Sequence, residues 1–167
     1  MLNSFNDKRI RFYANEKNLG YPLNLKKAVN KAKKKALFLM AQDDVLINKA
    51  ISRTRQAFLL DKDIGAVTRP YYQFFENINQ PVRVIEPYDS SNDRIISVFD
   101  GEKEIQKIFE TLGQFSGLAY RRDCLSIDFH HEVFPAHIYP FAGITKKHKI
   151  VFLKDYTVAV RIPSSQT

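Results

Sequence analysis

The run of residues from Leu37 to Val45 constrains the fold more than any other stretch of the chain. Four apolar residues, Leu37 to Met40, predict a buried strand, and two adjacent carboxylates, Asp43 and Asp44, follow shortly after it. In open α/β sheets, ligands bind beyond the carboxyl ends of the strands. Because neighbouring anions repel each other unless a cation offsets them, we expect a hard divalent metal with a phosphate-bearing ligand here.

The composition predicts a single domain spanning residues 1–167. The hydrophobic content of 44%, with 13% aromatic residues, is typical of a globular chain with one core. No segment approaches the roughly 18 consecutive apolar residues of a membrane span, and the first residues do not resemble a secretory signal. Since Cys124 is the single cysteine, an internal disulfide is excluded and we expect a cytoplasmic protein.

The positive charge is concentrated in one predicted helix. The formal net charge is +8, and six lysines fall between Lys26 and Lys35, in a stretch from Asn24 to Ala36 whose apolar residues recur at helical spacing. These lysines therefore occupy the polar face of an amphipathic helix. Such a face is either simply solvated, or it binds anionic lipid headgroups, acidic partners or RNA.

The order of predicted elements indicates a parallel α/β layer. Strands and helices alternate along the first part of the chain. They are a strand from Arg9 to Ala14, a helix capped by Asn24, the strand ending at Met40, a helix from about Asn48 to Leu60 and a strand from Ile64 to Thr68. The remaining predicted elements are short strands at Val82–Ile85 and Ile95–Phe99, a helix at Gly101–Leu112, a strand at Gln114–Tyr120, a helix at about His137–His148, and strands at Ile150–Leu153 and Tyr156–Arg161.

Several of these motifs, in this order, resemble the family-two inverting glycosyltransferases of the GT-A fold, which use nucleotide-sugar donors. The resemblance covers most of the chain from about Asp7 onward, and it rests on Asn18-Leu19-Gly20, Asn24 at a helix start, Ala36–Met40 leading into Gln42-Asp43-Asp44-Val45-Leu46, Ser116–Arg122, and the closing strands Lys149–Leu153 and Tyr156–Arg161. It implies a three-layer α/β fold, with a GT-A-like sheet between flanking helices.

The resemblance also implies an activity, namely transfer of a sugar from a nucleoside diphosphate sugar to a hydroxyl of a glycan or other acceptor. Asp44 would bind Mn²⁺ or Mg²⁺, and Asp43 would bind the metal or the donor ribose, because a cation stabilises the charge on the leaving diphosphate. Ala41 stands where the family commonly has its first Asp. Helix capping or a polar turn is the alternative role for the pair. Asn18, Gly20 and Asn24 would lie on the donor side.

The general base of the family does not map onto a carboxylate here. The acidic pair that supplies it falls on Pro135-Ala136, so the nearest candidates are His137 and Glu132. A histidine titrates close to neutral pH and can accept a hydroxyl proton, but a structural histidine at a helix start is the alternative. For Glu132 the alternative is a surface loop. Gly117 would let backbone approach the donor sugar, or it marks a bulge or tight packing.

The family normally opens with two strand–helix units that form the nucleoside pocket, whereas this chain enters at what resembles the third strand. We therefore expect an N-terminally truncated or split member, or a sequence that lacks the first part of the protein. In each case a sheet edge is exposed, which favours self-association or a partner chain that supplies strands. The second functional hypothesis is a non-catalytic basic module that binds anionic membrane, polymer or nucleic acid through its lysines, including a peripheral location at the inner face of the membrane.

Overall fold

The computed structural model describes residues 7–47, 49–130, 132 and 135–163, and these form a mixed α/β fold. The helices are α1 (Gly20–Lys31), α2 (Ala50–Ala57), α3 (Glu102–Glu110) and α4 (Ile138–Thr145). The strands are β1 (Ala36–Phe38), β2 (Val45–Leu46), β3 (Ile64–Thr68), β4 (Tyr71–Phe74), β5 (Arg83–Ile85), β6 (Arg94–Ile96), β7 (Ala119–Arg121), β8 (Lys149–Phe152) and β9 (Val158–Arg161). Among these residues, no helix is long and apolar enough to cross a membrane.

The larger sheet has five strands in the order β1-β7-β3-β8-β6. Strands β3 and β8 are parallel, whereas β7 runs antiparallel to both of its neighbours, β1 and β3. Consequently β1, β3 and β8 all point the same way, and their carboxyl ends lie at one edge of the sheet. The expected α/β class is therefore confirmed, although the sheet is mixed rather than purely parallel.

Helices cover both faces of this sheet, because the strand side chains alternate between two separate cores. One core contains Leu37, Leu39, Leu118 and Tyr120 together with residues of α1, α3 and α4. The other contains Ala119, Val151 and Leu153 with Ala57 of α2.

A second, four-stranded sheet has the order β2-β9-β4-β5. Its central strands, β4 and β9, are parallel, with Tyr71 opposite Val158, and β2 pairs antiparallel with β9. The first residue of β4 follows Thr68, the last residue of β3, by only two intervening residues, and β9 follows β8 after a short turn. The small sheet therefore begins where strands of the large sheet end.

Several sequence predictions in the first half of the chain are wrong. The expected strand from Arg9 to Ala14 is an irregular, exposed segment, since no described strand pairs with it. The lysine-rich helix begins at Gly20 rather than at Asn24 and ends at Lys31, so Lys33, Lys34 and Lys35 lie beyond it. Asn24 is consequently inside the helix and does not cap it.

Other predictions agree with the structure. The strand Ile64–Thr68 has the predicted bounds, and all five of its residues are buried. Helices α2, α3 and α4 lie within the predicted ranges. The predicted strand Gln114–Tyr120 is largely wrong, because Ser116 and Gly117 form a turn and only Ala119 and Tyr120 of that range are in β7.

Candidate functional site

Polar residues gather where the large sheet meets the small one. Asp43 and Asp44 follow β1, Arg69 follows β3, Ser116 precedes β7, and Arg161 ends β9. We call this set of five residues the Asp44 corner. It lies at the edge where the parallel strands β1 and β3 end, which is the edge at which open α/β sheets bind ligands.

Backbone hydrogen bonds fix the position of the chain leading into this corner. The Leu39 N–H donates to the carbonyl of Leu118 over 2.9 Å, and the Gly117 N–H donates to the carbonyl of Leu39 over 2.8 Å. One step further along, the Ala41 N–H donates to Ser116 Oγ over 2.8 Å. The two segments therefore remain paired beyond the end of β1, which places Ser116 beside Asp44.

Asp44 is half-buried and is held by donors from two other segments. Its Oδ1 accepts a hydrogen bond of 2.9 Å from the backbone N–H of Arg161. Burial raises the pKa of Asp44 above its ordinary value, while hydrogen bonds from Ser116 and Arg161 and the charge of Arg69 act in the opposite direction. The charge of Asp43, which is exposed, raises the pKa of Asp44 further.

Arg69 is fully buried and makes three charge-assisted hydrogen bonds to carbonyl oxygens. Nε donates to Ser116 over 2.8 Å, Nη1 to Thr111 over 3.0 Å, and Nη2 to Gln114 over 2.9 Å. Burial lowers the pKa of Arg69 to about 10, so the guanidinium is still charged at neutral pH. Its N–H groups therefore bond to the backbone of the segment before β7, and its positive charge partly offsets the negative charge of Asp44.

Gly117 is packed against Arg69. Its φ is +86°, and a Cβ at this position would lie 2.9 Å from Arg69 Nε and 3.2 Å from Arg69 Cδ. Both the left-handed backbone and the close contact require glycine. Of the three roles considered from the sequence, tight packing is the one for which the geometry gives a direct reason.

His137 lies just before α4 and is only 2% exposed. Nε2 is 2.8 Å from the carbonyl oxygen of Leu112, which can only accept, so Nε2 carries the proton and Nδ1 accepts from the Tyr21 hydroxyl over 2.6 Å. Burial lowers the pKa of His137 to about 4. Both ring nitrogens of His137 are hydrogen-bonded within the protein, and its basicity is low. These properties match a structural histidine at a helix start rather than a general base.

Glu132, the other candidate base, is exposed in the loop before α4, and its backbone N–H donates to His130 Nδ1 over 3.3 Å. The candidate donor-side residues lie around the start of α1. Asn18 Oδ1 accepts from the Gly20 N–H over 2.8 Å, and Asn24 Oδ1 accepts from Asn15 Nδ2 over 2.8 Å. Within the described chain, no hydrogen bond joins Asn18, Gly20 or Asn24 to the Asp44 corner.

The donor set available to a metal here is small. Among the described residues, no group of three or more His, Cys, Asp and Glu side chains is arranged to hold a metal ion. Asp43 and Asp44 provide two hard carboxylates. Mg²⁺ is often bound by one or two carboxylates, with substrate phosphates and water as its other ligands, so the pair fits a metal that arrives with a diphosphate.

No protein-family model matches this chain, and no curated protein is significantly similar to it. Sequence reasoning missed Arg69, Ser116, Arg161 and Tyr21 as contributors. The one signal for Arg69 was its position directly after an apolar strand, where a buried arginine is not distinguishable from an exposed turn residue.

Proposed function

We propose that this chain carries the metal and diphosphate site of a glycosyltransferase, which transfers a sugar from a nucleoside diphosphate sugar to a hydroxyl of a glycan or other acceptor. The observation that supports the proposal is the position of Asp43 and Asp44 beyond β1, at the edge where β1, β3 and β8 end in parallel. The resemblance to the GT-A glycosyltransferases points to the same pair.

In this proposal, Asp44 and Asp43 hold Mn²⁺ or Mg²⁺, which supplies stabilisation of the negative charge on the leaving diphosphate. The residues of the chain prepare the site. The Arg161 N–H and the Ser116 hydroxyl orient the Asp44 carboxylate. Arg69 fixes the backbone of residues 111–116 through three carbonyls, so the Ser116 hydroxyl is held at a defined position before any ligand binds.

The acceptor hydroxyl needs a base, and Glu132 is the candidate that the proposal retains. Glu132 is exposed in the loop before α4, whereas His137 is buried and its pKa is lowered to about 4. A base must come within about 3 Å of the proton that it removes, directly or through a water. Glu132→Gln should therefore abolish turnover while leaving the binding of metal and diphosphate intact.

Thermal unfolding with Mn²⁺ and UDP tests the site. We expect the two together to raise the Tm by roughly 5 °C or more at ligand concentrations near 100 times Kd, because a ligand that binds only the folded state stabilises it. Asp44→Asn, which keeps an acceptor for the Arg161 N–H, should remove this shift. Asp123→Asn, at an exposed aspartate elsewhere in the fold, is the matched control and should retain it.

The absence of any shift in the unaltered chain, with Mn²⁺ or Mg²⁺ and with UDP or dTDP, would contradict the proposal. An equal shift in Asp44→Asn would show that the ligand binds elsewhere. Either result removes the Asp43–Asp44 pair from the site.

The second candidate function is a non-catalytic basic module that binds an anionic membrane, polymer or nucleic acid. Lys31, Lys33 and Lys34 are exposed and line one groove, which favours this alternative. This second candidate function would place the protein in the cytoplasm, at the inner face of the membrane. It predicts binding to anionic vesicles or RNA that weakens steeply with salt and is indifferent to Asp43→Asn and Asp44→Asn.

A further inference from the structure

Strand β1 lies at one end of the five-stranded sheet, so one of its edges has no strand neighbour in the described structure. An edge strand presents a row of N–H and C=O groups that can pair with another extended chain. This edge is independent of the Asp44 corner, since it runs along the opposite side of the strand from β7.

The hydrogen bonds to β7 show which backbone groups point outward. Leu39 exchanges bonds with the 117–118 segment, and the Arg122 N–H donates to the carbonyl of Lys35. In an antiparallel pair, bonded residues alternate with residues whose backbone groups face away. Lys35, Leu37 and Leu39 therefore face β7, while the N–H and C=O groups of Ala36, Phe38 and Met40 point toward the open edge.

A groove of about 790 Å³ runs beside this edge, between β1, α1 and the irregular segment 8–13. Its walls include apolar side chains of α1 and β1, among them Leu25, Val29 and Leu37. Its basic residues are Lys8, Arg9, Arg11, Lys31, Lys33 and Lys34. No Asp or Glu is among the described residues that line it, although Arg9 is ion-paired with the adjacent Asp7 over 2.6 Å. The groove therefore combines an apolar wall with a net positive rim.

We propose that this groove binds an acidic, extended segment of another polypeptide, which adds to β1 as a sixth strand of the sheet. The open backbone groups of Ala36, Phe38 and Met40 would bond to the incoming strand. Alternating apolar and acidic side chains would then meet the wall of α1 and the basic rim. This mode of recognition uses backbone bonds for affinity and side-chain pockets for specificity.

The charges of the groove decide between this occupant and two others. A second copy of the chain would bring six more cations to the same place, and each chain already has a net charge of +8. Like charges that face each other across an interface oppose association. A nucleic acid would satisfy the basic rim but would leave the outward N–H groups of β1 and the apolar wall without matching partners.

Amide hydrogen exchange, measured by NMR on the full chain, tests this proposal. The probe is a short synthetic peptide of alternating valine and glutamate. We expect the peptide to slow exchange at Ala36, Phe38 and Met40 by roughly tenfold or more, with little change at Leu37 and Leu39, which already bond to β7. A peptide of alternating valine and lysine is the charge control and should give no protection.

Ala36→Pro removes one outward donor and should weaken peptide binding by roughly tenfold, whereas Ala36→Val keeps the N–H and should bind normally. If Ala36→Pro does not fold, the exchange pattern of the unaltered chain still decides the matter. Peptide binding without protection of these amides overturns the proposal. So does tighter binding of oligothymidylate than of the acidic peptide, or a dimer that protects the same amides without peptide.

Discussion

The guanidinium of Arg69 donates from Nε to the carbonyl oxygen of Ser116 over 2.8 Å, and Ser116 in turn accepts the Ala41 N–H through its hydroxyl. Ser116 therefore connects the ends of β3 and β1 across the strand that separates them. Since Arg69 also bonds to the carbonyls of Thr111 and Gln114, one side chain determines the backbone path of the segment beside the two aspartates.

Arg69→Met should destabilise the fold by about 3 kcal/mol, because it leaves buried carbonyl oxygens without donors. Arg69→Lys should lose less stability than Arg69→Met but should remain less stable than the wild type, since a single ammonium cannot reproduce the planar fork of a guanidinium. Urea unfolding monitored by circular dichroism measures both. Arg55→Met, at an exposed arginine of α2, is the matched control and should stay within about 0.5 kcal/mol of the wild type. Equal losses at the two positions would contradict this role of Arg69.

Gly117→Ala should cost roughly 2 to 3 kcal/mol in the free energy of unfolding. Part of the loss comes from the positive φ, and the rest comes from the contact of the new Cβ with Arg69. Gly20→Ala separates the two causes, because Gly20 also has a positive φ, +69°, but a Cβ added there would meet no atom within 4 Å. That variant should lose about 1 kcal/mol. If urea unfolding shows the same loss of stability for both variants, the contact with Arg69 does not contribute to the cost of Gly117→Ala.

His137 should make the fold less stable in mild acid. Burial lowers its pKa from 6.5 to about 4, so between these values the unfolded chain binds the proton more tightly than the folded chain does. The contribution of the neutral His137 to the free energy of unfolding is fully present above pH 6.5. It is lost as the pH falls toward 4, by about 3 kcal/mol in total.

Urea unfolding across this pH range measures the loss, and His137→Gln, which cannot titrate, should show a smaller dependence. NMR of the imidazole supplies a direct check, because Nε2 should carry the proton and the ring should stay neutral until about pH 4. An imidazole that titrates near its ordinary value would contradict the hydrogen-bonded arrangement with Tyr21 and Leu112.

The sequence predicts elements best where local pattern and tertiary environment agree. In β3, the residues from Ile64 to Thr68 are all buried, so an uninterrupted run of small and apolar residues has only one reasonable interpretation. The segment from Arg9 to Ala14 has the alternation of a strand but lacks a partner in the described fold. Strand β4 pairs with the nearby β5 as well as with the distant β9. It was missed because its residues, Tyr71–Phe74, do not alternate between polar and apolar side chains.

The candidate site was only partly predictable. Asp43 and Asp44 are adjacent in sequence and follow a strongly apolar strand, so their position could be inferred. The donors to Asp44 could not be, because the Arg161 N–H reaches it through the pairing of the small sheet. Similarly, the engagement of His137 depends on Tyr21, which lies on α1 and comes close only when the helix packs against the segment before β7.

The position of β7 between β1 and β3 bears on how the chain acquires its structure during translation. Strand β1 is synthesised well before the strand that it pairs with, Ala119–Arg121, because β2 to β6 lie between the two in the sequence. Pairing between such distant segments is slow compared with the formation of local structure. The aspartates beyond β1 therefore reach their final surroundings late in biosynthesis, and a nascent chain stalled before Ala119 would carry both carboxylates without the sheet that positions them.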